Sequence, residues 1–400
     1  MTYFTKVTED TYWVGVNDHQ TDLFESLWPL PKGVTYNSYL IKDEKSVLID
    51  TVKAPYLSDL IEKIKAILGD GGKLDYLVIN HMEPDHSGAV KILRAIFPEL
   101  KIIGNAKTKE MLNNFYGICD DIVVIKDGDV IDLGKHKLAF YLIPMVHWPE
   151  TMVTFDTGTG ALFSCDAFGG FGTLDGGLFD DELDMNYYEE EVLRYFSNIV
   201  ARYSTQVQKA IAKLKGLDIK IVAPSHGPIH RKNPERIIKL YDRWSKQETE
   251  CGAVVVFGSM YGNTQKMAEA VAKGMAEQGL KKLVYHDISR SHVSYVVKDI
   301  WKMKGLILAS CTYNTTLFPP MNNLLNHLSN KNMKGRKLGI VGSYSWGKGA
   351  FQALEEFASP NHWDLIGPTI EIKSCPFDED IAKCMELGRN MADQILRCYD

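Results

Sequence analysis

The segment His81-Met82-Glu83-Pro84-Asp85-His86 follows the apolar run Leu77-Val78-Ile79 directly, placing four potential metal ligands within six residues. A predicted strand therefore ends in a turn that carries imidazoles and carboxylates, and the fold must bring further ligands to that strand end. Three candidates follow comparable apolar segments: His147 in IPMVHWPE, Asp166 in LFSCDAFGG and His226 in IVAPSHGP. A second constraint begins at Val254. There a β-branched run feeds Ser259-Met260-Tyr261-Gly262-Asn263-Thr264, which opens an amphipathic helical pattern. The first feature reads as a metal centre and the second as a phosphate cradle, a pairing that implies redox chemistry.

Four hundred residues exceed the usual size of one hydrophobic core, so two large domains are expected. A net charge of -6 gives no electrostatic reason to expect a nucleic-acid partner. No apolar stretch approaches membrane-spanning length, and MTYFTKVTED lacks the basic and apolar regions of a signal peptide. A cytoplasmic protein is expected. The seven cysteines are scattered and contain no CxxC pair, which excludes a rubredoxin-like iron site and a thioredoxin-like redox pair. Cys165 reads as a packed thiol, and its neighbour Asp166 is the better ligand candidate.

Short β-rich segments dominate the first half, at residues 11–16, 36–41, 46–50, 77–80, 122–125, 138–143 and 161–164. Helical patterns cover 57–68 and 88–97, and a long helical region runs from 187 to 214 before a strand at 219–223. Residues 231–244 read as a closing helix, and the polar stretch 245–250 reads as a boundary. The expected domains are therefore residues 1–249 and 250–400. Beyond the boundary, strands near 252–257, 305–310 and 337–342 alternate with helices near 264–279, 320–328 and 349–357. This is the pattern of a doubly wound parallel sheet.

Histidine nitrogens and carboxylate oxygens form a ligand set for iron, manganese or zinc, and the absence of thiolates argues against an iron–sulfur cluster. Seven ligands exceed what one tetrahedral zinc takes but suit two ions with open positions, bridged by a carboxylate such as Asp166. Any one of these histidines alone reads more simply as a hydrogen-bonded or surface residue. What distinguishes His81, His86, His147 and His226 is that each follows an apolar segment ending in a polar turn. The histidines at 19, 136, 230, 286, 292, 327 and 362 lack that context and read as structural or solvent-facing.

With these residues in place, the first half resembles the metallo-β-lactamase fold, whose usual core motif is HxHxDH. Glu83 replaces the second histidine of that motif. With His147, Asp166 and His226, this variant resembles the flavodiiron proteins, or A-type flavoproteins. The resemblance implies a non-haem centre of two iron ions. His81, Glu83 and His147 would hold one iron, Asp85, His86 and His226 the other, and Asp166 would bridge them. It covers essentially the whole chain, including PKGVTYNSYLI, and implies an αββα sandwich joined to a flavodoxin-like doubly wound parallel sheet.

In the second half, Ser259 to Thr264 can wrap backbone N–H groups and hydroxyls around one terminal phosphate at a helix N-terminus. Neither GxGxxG nor GxxxxGK[ST] is present, which weakens the dinucleotide and nucleoside-triphosphate readings. Two companion segments close later strands: Ser310-Cys311-Thr312-Tyr313-Asn314 and Ser343-Tyr344-Ser345-Trp346-Gly347. All three resemble the FMN-binding loops of flavodoxins, which often have proline where Cys311 stands. The resemblance places the last two beside the isoalloxazine, with Tyr313 and Trp346 stacking on it or shielding it.

The expected activity is reduction of O2 to water by electrons passed through FMN to the irons. Reduction of NO to N2O is the alternative, and a hydrolase fused to a flavodoxin-like module is a third reading. The resemblance further implies a head-to-tail homodimer or dimer of dimers, and a reduced deazaflavin coenzyme or rubredoxin as electron donor. Tyr195, His19 and the aromatic residues around Trp148 read as packing, with pocket shaping as their functional alternative.

Overall fold

A computed structural model describes residues 4–69, 71–359 and 363–399; the expectation for His362 lies outside the described residues. The chain divides into two compact units, Met1–Ser245 and Lys246–Asp400.

The first unit is built on two sheets. One runs in the order Thr5–Lys6, Thr11–Trp13, Tyr39–Ile41, Val47–Ile49, Tyr76–Val78, Lys101–Gly104 and Ile122–Val124. The other runs Val130–Asp132, Lys137–Leu142, Met152–Asp156, Ala161–Cys165 and Ile221–Pro224. Their facing side chains share one core: Tyr39, Ile41, Ile49, Val78 and Ile103 from the first meet Phe140, Met152, Phe163 and Ala223 from the second. Each such large apolar side chain contributes about 1.5–3 kcal/mol on burial, so this layer holds the sandwich together. Helix Leu57–Leu68 buries Leu57, Leu60, Ile64 and Ile67, the three- and four-residue spacing of one helix face.

Local structure departs from the sequence reading in several places; the strand expected at 36–41, for one, is divided into Val34–Tyr36 and Tyr39–Ile41, which belong to different sheets. The strand expected at 11–16 divides into Thr11–Trp13 and Val16–Asp18 around Gly15, where a Cβ would stand 2.4 Å from the Tyr36 carbonyl oxygen. The helix expected from 88 begins earlier, as Pro84–Ser87, then continues as Val90–Ile96. The long helical region is Met185–Tyr195, a π-helical turn Phe196–Val200, a short Ala201–Tyr203 turn and Ser204–Leu214.

In the second unit the parallel strands run in the order Leu283–Asp287, Glu250–Gly258, Met303–Tyr313, Lys337–Tyr344 and Ile370–Lys373. This 2-1-3-4-5 order is that of flavodoxin-like sheets, whose ligands sit beyond the carboxyl ends of the strands. The first strand starts at Glu250, so the polar stretch expected as a boundary already pairs with Met303 at its end. Helices Asn263–Glu277 and Asp378–Leu396 approach closely through Gly274 and Gly388, where a Cβ would meet backbone at 2.2 and 2.1 Å. Among the described residues no helix is long and apolar enough to cross a membrane.

Candidate metal centre and flavin pocket

The seven candidate ligands leave their strands at one end of the sandwich. His81 follows Tyr76–Val78, Asp166 follows Ala161–Cys165, His226 follows Ile221–Pro224, and His147 precedes Met152–Asp156. Asn80 clamps the first of these strand ends. Its backbone N–H and side-chain amide donate to the Asp50 carboxylate at 2.8 and 3.1 Å, and its side-chain oxygen accepts from Thr154 at 2.8 Å.

Asp166 stands between two groups. Its Oδ2 lies 3.3 Å from His81 Nε2 and 3.2 Å from His147 Nε2, and Glu83 Oε2 is 3.3 Å from both nitrogens. Its Oδ1 lies 3.0 Å from His86 Nε2 and 3.4 Å from His226 Nε2, and each of these nitrogens is 3.4 Å from an Asp85 oxygen. Metal bonds of about 2.0–2.2 Å place neighbouring ligand atoms roughly 3 Å apart, so both groups have the spacing of a coordination shell. The donor atoms are buried, and those of Asp85, His86, Asp166 and His226, with His147 Nε2, make no hydrogen bond among themselves or elsewhere. Leaving so many buried polar atoms unpaired is costly unless cations satisfy them. The residues fit two metal ions sharing Asp166.

Electrostatics point the same way. Burial alone would raise the Asp166 pKa, but His86, His147 and His226 outweigh it and hold the carboxylate well below its usual range. Burial also opposes ionisation of Glu83, yet the His147 and His81 imidazoles beside it keep it at about 2. Conversely, burial disfavours charge on His147 and His226, but Asp166 with Glu83 or Asp85 raises them to about 9 and about 10. Without a metal the imidazoles carry the compensating positive charge as protons, and metal ions bound at Nε2 would displace those protons and supply the charge instead.

Two supports orient the imidazoles. His81 Nδ1 lies 2.6 Å from Glu150 Oε1, which also accepts from the Met82 backbone N–H at 2.8 Å. His226 Nδ1 lies 2.6 Å from the Thr35 carbonyl oxygen. A proton on each Nδ1 leaves Nε2 free to bind a metal. The sequence reading missed Glu150, although it stands three residues after His147 in the same HWPE segment. Trp148 and Tyr195 surround the centre, with ring centroids 4.9 Å from His81 and 5.7 Å from His226. Their pocket-shaping alternative therefore gains support, whereas His19 is exposed and faces Asp175 at 3.4 Å. Cys165 reaches His86 and Asp166, but burial, reinforced by Asp50 and Asp166, pushes its thiol well above the usual range. This disfavours the thiolate that would bind a metal.

In the second unit a cavity of about 430 Å³ lies at the carboxyl ends of the strands. Ser259, Met260, Tyr261, Asn263, Thr264, Cys311, Thr312, Tyr313, Asn314, Ser343, Tyr344, Ser345, Trp346 and Gly347 line it, joined by Thr315 and Ser374. Gly262 and Ser310 do not line it. Gly262 supplies the positive-φ turn (φ 87°) and donates its N–H to Ser259 Oγ at 3.0 Å, while Ser310 is buried and bonds the Cys311 carbonyl. Thr264 Oγ1 and Ser343 Oγ, 2.9 Å apart, tie the first loop to the third. The hydroxyls at the start of helix Asn263–Glu277 suit a phosphate, and the exposed Tyr261 and Trp346 offer flat faces to a ring system. The residues fit FMN. A larger cavity in the first unit, about 550 Å³ and lined by Trp13, Tyr56, Lys63 and Leu178 among others, contains none of the candidate ligands. Size alone does not locate the chemistry.

The pattern of the ODP family beta lactamases matches residues 34–227, and that of the flavodoxins matches residues 255–388. Over 397 residues the chain is 35% identical to a nitric oxide reductase of Moorella thermoacetica, covering 97% of this chain and 98% of that one. It is 32% identical over 394 residues to the anaerobic nitric oxide reductase flavorubredoxin of Escherichia coli, covering 97% of this chain and 82% of the relative. Among solved structures, the rubredoxin oxygen:oxidoreductase of the anaerobe Desulfovibrio gigas is similar at a TM-score of 0.94 and 27% identity, with 99% of each chain covered. Two curated relatives matched over 97% of this chain, a flavodoxin domain and a shared-carboxylate metal cluster converge on one conclusion: this chain belongs to the flavodiiron protein family and is an oxidoreductase.

Proposed function

We propose that this chain reduces nitric oxide to nitrous oxide. The observation that carries a two-metal reading is Asp166, whose two oxygens face separate ligand groups. In this reading His81, Glu83 and His147 hold one iron, Asp85, His86 and His226 hold the other, and Asp166 bridges them. Ser259 to Thr264 hold the FMN phosphate, while the 310–314 and 343–347 segments flank its ring. Bound iron and FMN supply the redox chemistry, balanced as 2 NO + 2 e⁻ + 2 H⁺ → N2O + H2O. The protein's own contribution is to position the ions and to exclude water with Phe24, Trp148 and Tyr195.

The relatives' names favour nitric oxide over the oxygen reduction that the sequence alone suggested. Oxygen remains the second reading, supported by the name of the D. gigas structure. That same name supports a rubredoxin as electron donor, with a reduced deazaflavin as the alternative. A head-to-tail homodimer, or dimer of dimers, in the cytoplasm completes the proposal. Hydrolysis is set aside, because the chain belongs to an oxidoreductase family.

The test is stopped-flow absorbance of reduced, iron-quantified and FMN-quantified protein mixed separately with NO and with O2. Fast reoxidation by NO with N2O as product, and slower reaction with O2, is the expected result. Faster reaction with O2 that yields water and little N2O would reinstate oxygen reduction.

A further inference from the structure

Within the stretch PKGVTYNSYLI, Val34–Tyr36 pairs with Val16–Asp18, and Tyr39–Ile41 pairs with Thr11–Trp13 in the other sheet. Between these strands the chain passes the 224–227 turn that carries His226, and it bonds that turn repeatedly. His226 Nδ1 lies 2.6 Å from the Thr35 carbonyl oxygen, and the Gly227 N–H donates to Thr35 Oγ1 at 2.7 Å. Asn37 donates its backbone N–H to the Ser225 carbonyl at 2.7 Å. Its side-chain amide donates to the Pro224 and Gly227 carbonyls, each at 2.9 Å. The Tyr39 hydroxyl also donates to the Pro224 carbonyl, at 2.7 Å.

Thr35, Asn37 and His226 are fully buried, so no water replaces these bonds from the surface. Buried carbonyls need donors, and one asparagine amide meets two of them on either side of a metal-ligand candidate. That amide has a single satisfying orientation. The Trp13 indole N–H, which only donates, points at Asn37 Oδ1 from 2.8 Å, and the two carbonyls only accept. Trp13 is itself held. Lys63 Nζ stands 4.8 Å from its ring centre and donates to the Gly15 carbonyl. Gly15 lets the two segments close, because a Cβ there would stand 2.8 Å from both the Asn37 Cα and the Trp13 indole nitrogen.

This clamp acts on one ligand group. His81 takes its orientation from Glu150 instead, on the far side of Asp166. Alanine at 37 would leave the Gly227 carbonyl without this donor and the Pro224 carbonyl with Tyr39 alone. Aspartate would set a carboxylate against two carbonyl oxygens.

We propose that Asn37, locked by Trp13, is a positioning residue that holds the 224–227 turn where His226 Nε2 meets the metal ion facing Asp85, His86 and His226. This rests on the two-metal reading above and is independent of which gas is reduced. An imidazole on a turn that shifts keeps its chemistry but loses its aim, and metal affinity falls with it.

The experiment withdraws ferrous iron from full-length, iron- and FMN-loaded protein with graded amounts of a coloured chelator, and counts the iron and FMN that remain. His226→Ala shows which of the two withdrawal steps belongs to the ion facing His226. In Asn37→Ala that step should move to about 10- to 100-fold weaker binding, while the other iron and FMN are held as in wild type. Trp13→Phe keeps an aromatic ring but loses the indole N–H, so it should move the same step by less. Thr35→Ser keeps the hydroxyl that accepts from Gly227 and should match wild type, whereas Thr35→Val should not. General loosening of the first unit would weaken both irons together, so the separation of the two steps is the decisive readout. Equal weakening of both irons in Asn37→Ala and Trp13→Phe, or wild-type binding of both, would overturn the proposal. If Asn37→Ala does not fold, Trp13→Phe and the Thr35 pair decide by the same criterion. A wild type that holds a single ion would sink the two-metal reading instead. Retention of that ion by His226→Ala would then overturn the proposal as well, and its loss would leave the Asn37 and Trp13 variants to decide.

Discussion

The two sites of this chain solve opposite physical problems. The metal centre gathers three carboxylates and four imidazoles in a buried volume, with most of their donor atoms free of hydrogen bonds. The flavin pocket is an open cavity lined largely by hydroxyls, small residues and exposed aromatic rings, with no charged side chain in its wall among the described residues. Buried charge is tolerable only when paired or bound to metal, so the first site depends on its ions, whereas the second is already satisfied by solvent and its own loops. The metal ligands follow strand ends, the first of them clamped by Asn80 and Asp50, whereas the flavin residues are spread over the ends of strands Met303–Tyr313 and Lys337–Tyr344, the start of helix Asn263–Glu277 and the loops beyond them. Metal geometry tolerates little error, and a loop can adjust to a phosphate.

The strongest way to break this comparison is to remove its pivot. Asp166→Ala deletes the oxygens that face both ligand groups, so iron content and gas reduction should be lost together while FMN stays bound. Elemental analysis beside the flavin absorbance spectrum would check this. Loss of FMN along with the iron would show that the two sites are not independent.

Acid should also separate the two units. His230 is buried beside a void of about 20 Å³, its Nε2 has no hydrogen-bond partner, and burial lowers its pKa to about 4. The unfolded chain protonates histidine near 6.5. Between those values the unfolded state binds the extra proton, so His230 costs no stability above about pH 6.5 and progressively more as pH falls towards 4. The full difference is about 3 kcal/mol. Acid also acts on the metal ligands, so the contribution of His230 is the difference between wild type and His230→Leu. Wild type should lose more stability than the variant between pH 6.5 and 4 when the first unit is followed by denaturant titration. Unfolding of the second unit, followed by flavin release, should be the same in both proteins. Equal pH slopes for the first unit would show that His230 is satisfied in a way its surroundings do not suggest.

How much of each site can be read from the chain follows from the same contrast. The candidate metal ligands are legible because His81, Asp85, His86, Asp166 and His226 are conspicuous at the ends of apolar runs, where a charged side chain has few structural reasons to be. Helix Leu57–Leu68 is legible to the residue, because its apolar spacing and the glycine after it agree. The break at Gly15 is not, since it depends on the Tyr36 carbonyl, which arrives from another strand. Nor is the π-helical turn after Tyr195, where the pattern of apolar residues continues without interruption. In the flavin segments the stretch is legible but the individual contact is not: Gly262 and Ser310 belong to the right segments yet do not line the cavity.

Glu150 is the smallest expected effect and sharpens the comparison most finely, because it tests whether the metal centre needs support beyond its ligands. It is fully buried and accepts from His81 Nδ1 and from the Met82 N–H, and its own carbonyl is held by the Asn105 amide at 2.5 Å. Removing such a partner typically costs 10- to 100-fold in metal affinity. Glu150→Ala should therefore fold and keep FMN but release iron to a chelator about 10- to 100-fold more readily, while Glu150→Gln, still able to accept from His81, should retain more. The graded order wild type, Gln, Ala is what separates orientation of His81 from mere packing. If Glu150→Ala holds iron as tightly as wild type, the seven ligands position themselves, and the metal centre is as self-sufficient as the flavin pocket.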